Sequence, residues 1–595
     1  MSKKDLLLGN EAVARGLWEA GCRFVSSYPG TPSTEITESV AEYAEIDAEW
    51  APNEKVALEA ALGAAIAGVR SFCGMKHVGL NVAADPLFTA SYTGVNAGLV
   101  IAVADDPGMH SSQNEQDSRH YARAAKLPML EPSDSEECRA FAKLAYTLSE
   151  EYDTPVLLRL STRVSHSRSI TALEQRGEIA VRAYEKNLRK YVMMPAMARE
   201  RHVLVEERTE KLRAWAESCD VNRAEYHDTS IGVICAGINY QYAKEALGSK
   251  ASYYKLGCVY PLPEQALRDF CAVCKTVYVA EDLDDCIELH CRALGLNVRG
   301  KDVLPRLGEF SQGLLRKAIL GETLPARALD LPLPARPPVL CPGCPHRSLF
   351  YVLKKLGVFV SGDIGCYTLG ALQPLGMMDT CVCMGASVSA LHGRNKALPE
   401  QAGKAVAVIG DSTFAHSGVT GLMNIAYNRS SSVVVILDNS ITGMTGHQQN
   451  PTTGRTLQGD VTAAVDLEAL CSAVGVQDVR VVDPYDMQAT EAALRSALAK
   501  DAPAVVISRR PCVLLKEVKP KPPLRVNAAC AGCKQCMRIG CPAITITEKT
   551  EPGAASIAAR SKGKAQIDVT QCIGCGVCGQ MCKFGAMEQP EGGRG

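Results

Sequence analysis

The sequence predicts a multidomain α/β protein that ends in a small cysteine-rich domain. Three observations carry this. Helical and strand patterns alternate through most of the chain, with strands that are near-continuous apolar runs, as in parallel sheets covered on both faces. At 595 residues the chain exceeds what one core can organise, and two proline-rich stretches divide it. Residues 530–595 hold eight cysteines in two matching runs.

Composition narrows the class. The chain is 47% hydrophobic with a formal net charge of −1, which suits a soluble globular protein and excludes a bulk basic field for nucleic acid. Twenty-five cysteines in so long a chain do not suit a disulfide scaffold and point to a reducing cytoplasm, where thiols serve metal or cluster chemistry. Met1 to Leu8 reads as no secretory leader. The longest uncharged stretch, Pro86 to Ala104, reads as a buried helix followed by a strand rather than a membrane span.

Residues 1–165 open with an amphipathic helix over Asn10–Gly21 and a short strand over Cys22–Ser26. An Ala-rich helix over Pro52–Gly68 and strands over Leu99–Ala104 and Thr154–Leu160 follow. Residues 166–228 are charged and strand-poor and read as a helical connector with a solvated face. A second βα unit, within 229–328, begins at Ile231–Gly237 and continues through Ala251–Gly257 and Thr276–Glu281. Its glycines lack the third member of a dinucleotide loop, so that motif is rejected. Proline-rich Leu329–Pro338 is a linker. A third α/β region covers 339–515, and the lysine- and proline-rich Lys516–Pro523 leads into the tail, 522–595.

In the tail, Cys530, Cys533 and Cys536 form the first three-cysteine run, with Cys541 four residues beyond. Cys572, Cys575 and Cys578 form the second, with Cys582 three residues beyond. Three thiolates at this spacing face three corners of a cubane iron–sulfur cluster, and the remote cysteine of each run ligates the other cluster. One quartet is then Cys530, Cys533, Cys536 and Cys582, and the other Cys572, Cys575, Cys578 and Cys541. Paired zinc ribbons fit poorly, because structural zinc takes four ligands at paired spacing. The repeat extends to the flanks: Leu524–Asn527 and Gln566–Val569 precede the runs, and apolar Ala-containing stretches follow them. This resembles the two-cluster bacterial ferredoxin fold. Two departures stand out: the extra residue before Cys541, which should bulge one loop, and Lys583 where proline is usual after the last cysteine.

In the third region a strand over Lys404–Ile409 ends in Gly410-Asp411-Ser412, and a strand over Ser432–Leu437 ends in Asp438-Asn439-Ser440. Ligands gather at the carboxyl ends of strands in open α/β sheets. Asp411 and Asn439 suit a hard Mg2+ that also grips phosphates, Gly410 admits a diphosphate close to the backbone, and the next helix points its amino end at it. A structural Gly-Asp turn is the plain alternative. The pattern resembles the thiamine diphosphate motif, with Ser412 and Asp438 departing from it at positions that do not bind the metal. The resemblance implies the Ile441 carbonyl as third protein ligand of Mg2+. It also implies a glutamate that protonates the far ring nitrogen of the aminopyrimidine. Asn53-Glu54 opens a helix with Gly63 nine residues on, similar to the pyrimidine-domain helix of these enzymes. Burial would keep Glu54 partly protonated; Glu59, one turn on, is the rival, and a first-turn glutamate favoured by the helix dipole is the plain alternative.

Cys341-Pro342-Gly343-Cys344-Pro345-His346, Gly365-Cys366 and Pro511-Cys512 lie in this same region. Four cysteines from three loops could cage a third [4Fe–4S] cluster; a zinc site with His346, or a redox pair, competes. Cys381 and Cys383 read as packed thiols of a core.

Together these motifs resemble the 2-oxoacid:ferredoxin oxidoreductases, over essentially the whole chain. Tyr28-Pro29-Gly30-Thr31-Pro32-Ser33 looks like their substrate-side loop, which places Thr31 at the cofactor. The domain order and the run Ser111–Arg119 are most similar to the alpha subunits of the indolepyruvate type. That order is a pyrimidine domain (1–165), a connector (166–228), a transketolase C-terminal-like domain (229–328), a diphosphate domain (339–515) and a ferredoxin domain (522–595). The resemblance implies oxidative decarboxylation of aryl pyruvates with CoA, giving aryl-acetyl-CoA and CO2, with electrons passed through clusters to ferredoxin. It implies a small beta subunit, in a heterodimer or a dimer of heterodimers, and neither nucleic acid nor membrane as partner. Pyruvate-type members carry CxxC, Gly-Cys and Pro-Cys in the order seen here, which supports a third cluster on Cys341, Cys344, Cys366 and Cys512. A non-redox thiamine decarboxylase and a pure electron-transfer subunit remain as rivals.

Overall fold

The computed structural model describes residues 3–325, 331, 333–334, 336–547 and 563–590. It divides into two units, Met1–Asp330 with Leu457–Gly459, and Leu331–Thr456 with Asp460–Gly595.

The first unit carries a seven-stranded sheet. Its spatial order is Cys258–Tyr260, Met129–Leu130, Val156–Ser161, Leu99–Asp105, Ser71–Lys76, Phe24–Ser27 and Asp47–Trp50. Every pairing is parallel except the first, an antiparallel edge. The strand Leu99–Asp105 is buried throughout, and its side chains alternate between two cores. Ile101 and Val103 join Ala57, Leu58, Ala61 and Ala65 of the helix Glu54–Ala67 on one face, while Val100, Ala102 and Ala104 join the helices Gly9–Glu19 and Ser135–Glu151 on the other. Period-two alternation into two apolar layers is why these strands read as unbroken hydrophobic runs. A five-stranded sheet follows, in the order Val298–Arg299, Thr276–Ala280, Ile231–Ala236, Ser252–Leu256 and Arg223–Glu225, parallel except for the last pair. The edge strand Cys258–Tyr260 comes from the second βα region yet completes the first sheet.

Residues 166–228 differ from the solvated connector expected of their composition. Arg168–Leu173 is a strand paired antiparallel with Lys3–Leu8. The helix Pro195–Ser218 buries Arg201 and Arg208. Arg201 Nε donates to the Tyr92 carbonyl at 2.6 Å, and Arg208 donates to the Ser91 carbonyl at 3.0 Å and its hydroxyl at 2.9 Å. These arginines close the carboxyl end of the helix Ala84–Thr93, where backbone acceptors have no helical partners.

The second unit is built on a six-stranded, all-parallel sheet. Its order is Thr380–Cys381, Phe359–Gly362, Ala405–Gly410, Val433–Asp438, Ala504–Arg509 and Asp478–Val482. Val406 and Val408 face one core while Ala405, Ala407 and Ile409 face the other. From Phe359–Gly362 the chain first adds a strand on one side, then Ala405–Gly410 on the other. That reversal opens a crevice beyond the carboxyl ends of these two strands.

The tail interleaves its two halves. Arg525–Val526, before the first cysteine run, pairs with Met587–Glu588 after the second, while Ile544–Ile546, after the first run, pairs with Ala565–Ile567 before the second. The extra residue before Cys541 is absorbed by a 3-10 turn over Gln535–Ile539, ended by Gly540 at φ +69°. No helix among the described residues is long and apolar enough to cross a membrane.

The two sheets of the first unit meet on a buried ionic network. Arg119 Nη1 lies 2.5 Å from Glu281 Oε2, and Nη2 lies 2.6 Å from Asp117 Oδ2 and 3.1 Å from the carbonyls of Asp282 and Asp284. Burial favours the neutral form of Asp117, but Arg119 and Arg159 hold it well below the usual carboxylate range. Removing the cation strands two buried carboxylates. Arg119→Ala should therefore destabilise the protein by about 3–5 kcal/mol, read from denaturation monitored on the intact chain. A loss under about 1 kcal/mol would mean that the pairs are effectively solvated.

Candidate functional site

At the crevice of the second unit, Asp411 follows the strand Ala405–Gly410 and is 2% exposed. Its Oδ1 accepts from the Ser412 N–H at 2.9 Å and its Oδ2 from the Thr452 hydroxyl at 3.2 Å. Burial, and next the Asp438 carboxylate, push Asp411 up to about 7. Asp438 itself is paired with Arg509 at 2.7 Å. One terminal atom of the Asn439 amide lies 2.8 Å from the Ile441 carbonyl oxygen and 3.1 Å from Asp411 Oδ1. With nitrogen at that corner the amide donates to both oxygens. With oxygen there, three oxygens converge, and only a cation between them makes the arrangement favourable. Their spacing matches the edge of an octahedral Mg2+ shell, about 2.9 Å for Mg–O bonds of about 2.0–2.1 Å. A buried carboxylate held high by a second carboxylate is also what a divalent ion relieves. The donor set therefore fits the cation.

Two details add to the sequence reading. The missing Cβ of Gly410 makes room for a ring: a Cβ there would lie 2.9 Å from Tyr367 Cε1. The helix after Gly410 is not regular; Asp411–Thr413 passes into a π-turn over Phe414–Gly418 before Val419–Tyr427, and π-bulges gather at functional sites. Asp363 was not singled out from the sequence. Its carboxylate accepts from the N–H groups of Ile364, Gly385 and Ser387 at 2.9–3.0 Å, tying the Cys366 loop to the start of the helix Ala386–Ala397. The signal was present, a Gly-Asp pair ending a strand, as at Gly410-Asp411.

The cysteines gather into three sets. Cys366 is pushed up to about 11, first by burial and then by Cys512 and Cys341, and Cys344 up to about 12, by burial and then by neighbours that include Cys341 and Cys366. This set adjoins the metal loop. A Cβ on Gly443 would lie 3.4 Å from Cys366 Sγ and 3.9 Å from Asn439 Nδ2, and the Cys512 N–H donates to the Asn439 carbonyl at 2.9 Å. In the tail, Cys536 is raised by burial and then by Cys530, Cys533 and Cys582. Cys578 is pushed up to about 12 by burial and then by Cys575, Cys541 and Cys572, with Cys536 beyond. The interleaved hairpins thus bring each remote cysteine to the opposite run. Cys530 Sγ accepts the Ala565 N–H at 3.5 Å, and Cys582 Sγ the Ala586 N–H at 3.3 Å. Among the described residues no three His, Cys, Asp or Glu side chains converge as for one metal ion, whereas a cubane cluster spreads its four thiolates more widely than a zinc ion does. His346 is turned to another task. It is buried, held neutral with its pKa down at about 4, and sits edge-on to Tyr367 at 6.0 Å. Cys381 and Cys383 are exposed, not packed in a core as expected, because Cys381 lies on the sheet's edge strand.

The first unit holds the remaining candidates. Glu54 is the first residue of its helix and 5% exposed, and the preceding Asn53 caps that helix by accepting from the Val56 N–H at 2.9 Å. A Cβ on Gly79 would lie 2.5 Å from Glu54 Oε1, so a glycine is needed to seat this carboxylate. Glu59 instead is exposed and paired with Lys55. The Thr31 carbonyl accepts from the Ser111 hydroxyl at 3.4 Å. Lys76, which ends the strand Ser71–Lys76, donates to the Ser111 carbonyl at 2.8 Å and is lowered to about 8 by burial. The run Ser111–Arg119 hangs from two acids at the end of Leu99–Asp105 and just beyond it: Asp106 accepts from the Ser111 N–H at 2.8 Å and the Ser112 hydroxyl at 2.6 Å, and Asp105 from the Ser118 N–H at 3.1 Å. Lys76 was missed in the sequence because a lone lysine at a strand end carries no motif.

Known proteins match this arrangement. The family described as "Thiamine pyrophosphate enzyme, C-terminal TPP binding domain" matches residues 363–508, and "Pyruvate flavodoxin/ferredoxin oxidoreductase, thiamine diP-bdg" matches residues 15–228. Indolepyruvate oxidoreductase subunit IorA of Archaeoglobus fulgidus is 40% identical over 98% of this chain and 96% of its own. The protein of the same name from Pyrococcus horikoshii is 39% identical over 99% and 97%, and that from Methanothermobacter thermautotrophicus is 40% identical over 99% and 98%. On this similarity along nearly the whole of both chains, the chain belongs to the indolepyruvate oxidoreductase subunit IorA family and is a thiamine-diphosphate-dependent oxidoreductase of the 2-oxoacid:ferredoxin type.

Proposed function

We propose that the protein oxidatively decarboxylates aryl pyruvates with CoA, giving aryl-acetyl-CoA and CO2, and passes the electrons through three [4Fe–4S] clusters to ferredoxin, in the cytoplasm and with a small partner subunit. The observation that carries this reading is continuity within the second unit. The oxygens of Asp411, Asn439 and Ile441 that suit Mg2+ adjoin Cys366 and Cys512, and Cys344 of that set lines one cavity with Cys541, Cys572, Cys575 and Cys578. The aryl side chain rests on the names of the relatives, as does the partner, since those proteins are named as subunits.

When bound, thiamine diphosphate supplies the electron sink for loss of CO2, and the clusters carry electrons singly. The chain's own residues supply the rest. Asp411, Asn439 and the Ile441 carbonyl hold Mg2+, with Ser412 beside them. Glu54 holds a proton at the far ring nitrogen of the aminopyrimidine, in a seat cleared by Gly79. Thr31, tied through Ser111 to buried Lys76, lies on the loop that presents the 2-oxo acid.

Asp411→Ala should weaken retention of thiamine diphosphate by about 100-fold or more, since a buried charge partner is lost. The check is cofactor content after gel filtration, and stoichiometric cofactor in the variant removes Asp411 from the metal. Glu54→Gln should keep its cofactor but slow C2 proton exchange by about 100-fold or more, because an amide cannot share the proton. Exchange at the wild-type rate, measured by NMR, reassigns the role. With the small subunit, CoA and ferredoxin present under anaerobic conditions, aryl pyruvates should exceed pyruvate and 2-oxoglutarate in kcat/KM by about tenfold or more, at least 1.4 kcal/mol in the transition state. Preference for pyruvate overturns the substrate class, and aldehyde release without ferredoxin reduction overturns the reaction.

A further inference from the structure

Arg347 stands between two of the cysteine sets and takes no part in the chemistry above. It is the second residue of the helix His346–Leu356 and only 5% exposed. Its Nε donates to the Cys341 carbonyl at 3.1 Å, and its Nη1 to the carbonyls of Ile539, at 3.4 Å, and Gly540. One guanidinium thus clamps the Cys341–Cys344 loop to the backbone just before Cys541. The Cys341–Cys344 loop is held at other points too: the Tyr485 hydroxyl donates to the Gly343 carbonyl, and Gly343, at φ +70°, has the side chain of Ile573, from the second cysteine run, where a Cβ would be. The third arm, Nη2, is buried with no hydrogen-bond partner among the described residues. Arg347 lines the apolar cavity rimmed by Cys344, Cys541, Cys572, Cys575 and Cys578. Burial lowers the guanidinium, opposed by the thiols of Cys541, Cys344, Cys341 and Cys575, two from each set.

A buried cation with an unused donor is costly where only neutral, apolar groups face it. Beside an anionic cluster both the charge and the donor are satisfied, and hydrogen bonds to cluster sulfurs raise reduction potentials. Arginine keeps its proton under all such conditions, so its charge is constant while the cluster gains one negative charge on reduction. We propose that Arg347 is a positioning residue for electron transfer, a fixed positive charge whose Nη2 serves the cluster of Cys541, Cys572, Cys575 and Cys578. It makes reduction of that cluster easier and so draws the electron out of the set formed by Cys341, Cys344, Cys366 and Cys512. One electron moves from one cluster to the next, with no proton transferred and no bond broken. This rests on the three-cluster reading given above.

The test keeps the two ideas apart. Iron analysis of the full wild-type chain, assembled with its partner subunit, addresses the reading: about twelve irons are expected, four per cubane cluster, and about eight reject the third cluster without touching the tail. EPR-monitored redox titration of Arg347→Gln and Arg347→Lys then addresses Arg347. In Arg347→Gln the cluster of Cys541, Cys572, Cys575 and Cys578 should become at least tenfold harder to reduce, a shift of about 59 mV for one electron. The cluster of Cys530, Cys533, Cys536 and Cys582 should stay in place as an internal control. Arg347→Lys should restore most of the shift. Full iron with unchanged potentials in Arg347→Gln overturns the proposal. If Arg347→Gln fails to load iron, Arg347→Lys decides: full iron with near-wild-type potentials supports a role for the charge, and failure of lysine to restore loading shows that Arg347 only packs the loops.

Discussion

Oxygen atoms brought together in a dry place must share either a proton or a cation. The adjacent ends of the strands Ala405–Gly410 and Val433–Asp438 are organised by that constraint. The Asn439 amide lies 2.8 Å from the Ile441 carbonyl and 3.1 Å from Asp411, with Asp438 close enough to push Asp411 up. Ser440 takes a left-handed turn at φ +58° to bring the Ile441 carbonyl round, and Arg509 neutralises the second carboxylate so that only one stays available to a metal. The parallel sheet beneath supplies rigidity: the strands Ala405–Gly410 and Val433–Asp438 are buried on both faces, so the positions of their ends are set by two cores rather than by the loop.

The same logic recurs wherever this chain buries charge. In the first unit, Asp105, Asp106 and Asp117 are each engaged by donors from the run Ser111–Arg119 or by Arg119 and Arg159, and the run is shaped by satisfying them. Such networks contribute little net stability compared with apolar packing, but losing one partner is costly, so they specify one arrangement of the loop. Glu54 is the contrasting case. A carboxylate is seated in the first turn of an Ala-rich helix against Gly79, with a stable N-cap at Asn53 holding the helix start. The geometry is fixed by the absence of one methyl group.

In the tail the constraint is topological. Because the strand before each cysteine run pairs with the strand after the other run, Cys582 comes beside the first run and Cys541 beside the second. The extra residue before Cys541 turns Gly540 into a left-handed stop whose carbonyl receives Arg347, so a departure from the usual spacing becomes the point at which the tail is fastened to the Cys341–Cys344 loop. Fastening these loops brings two cysteine sets to one cavity. The closeness of the two sets is imposed by backbone contacts at these loops.

The sequence by itself determined most of the elements. The apolar run ending at Gly410 and the two matching cysteine runs of the tail were legible because both patterns are local. The helix start at Glu54 and the strand end before Asp411 were legible in the same way. What only the tertiary structure decided was which distant groups share a space. It separated Glu54 from Glu59 by burying one and exposing the other, packed Tyr367 against Gly410, and placed Cys381 and Cys383 at an exposed edge. It showed the charges of the connector to be partly buried, and it joined Arg347 to Gly540 across nearly two hundred residues. Local pattern fixes the direction of a side chain along its own element; burial and partnership depend on which surface arrives opposite, and that is a property of the folded chain.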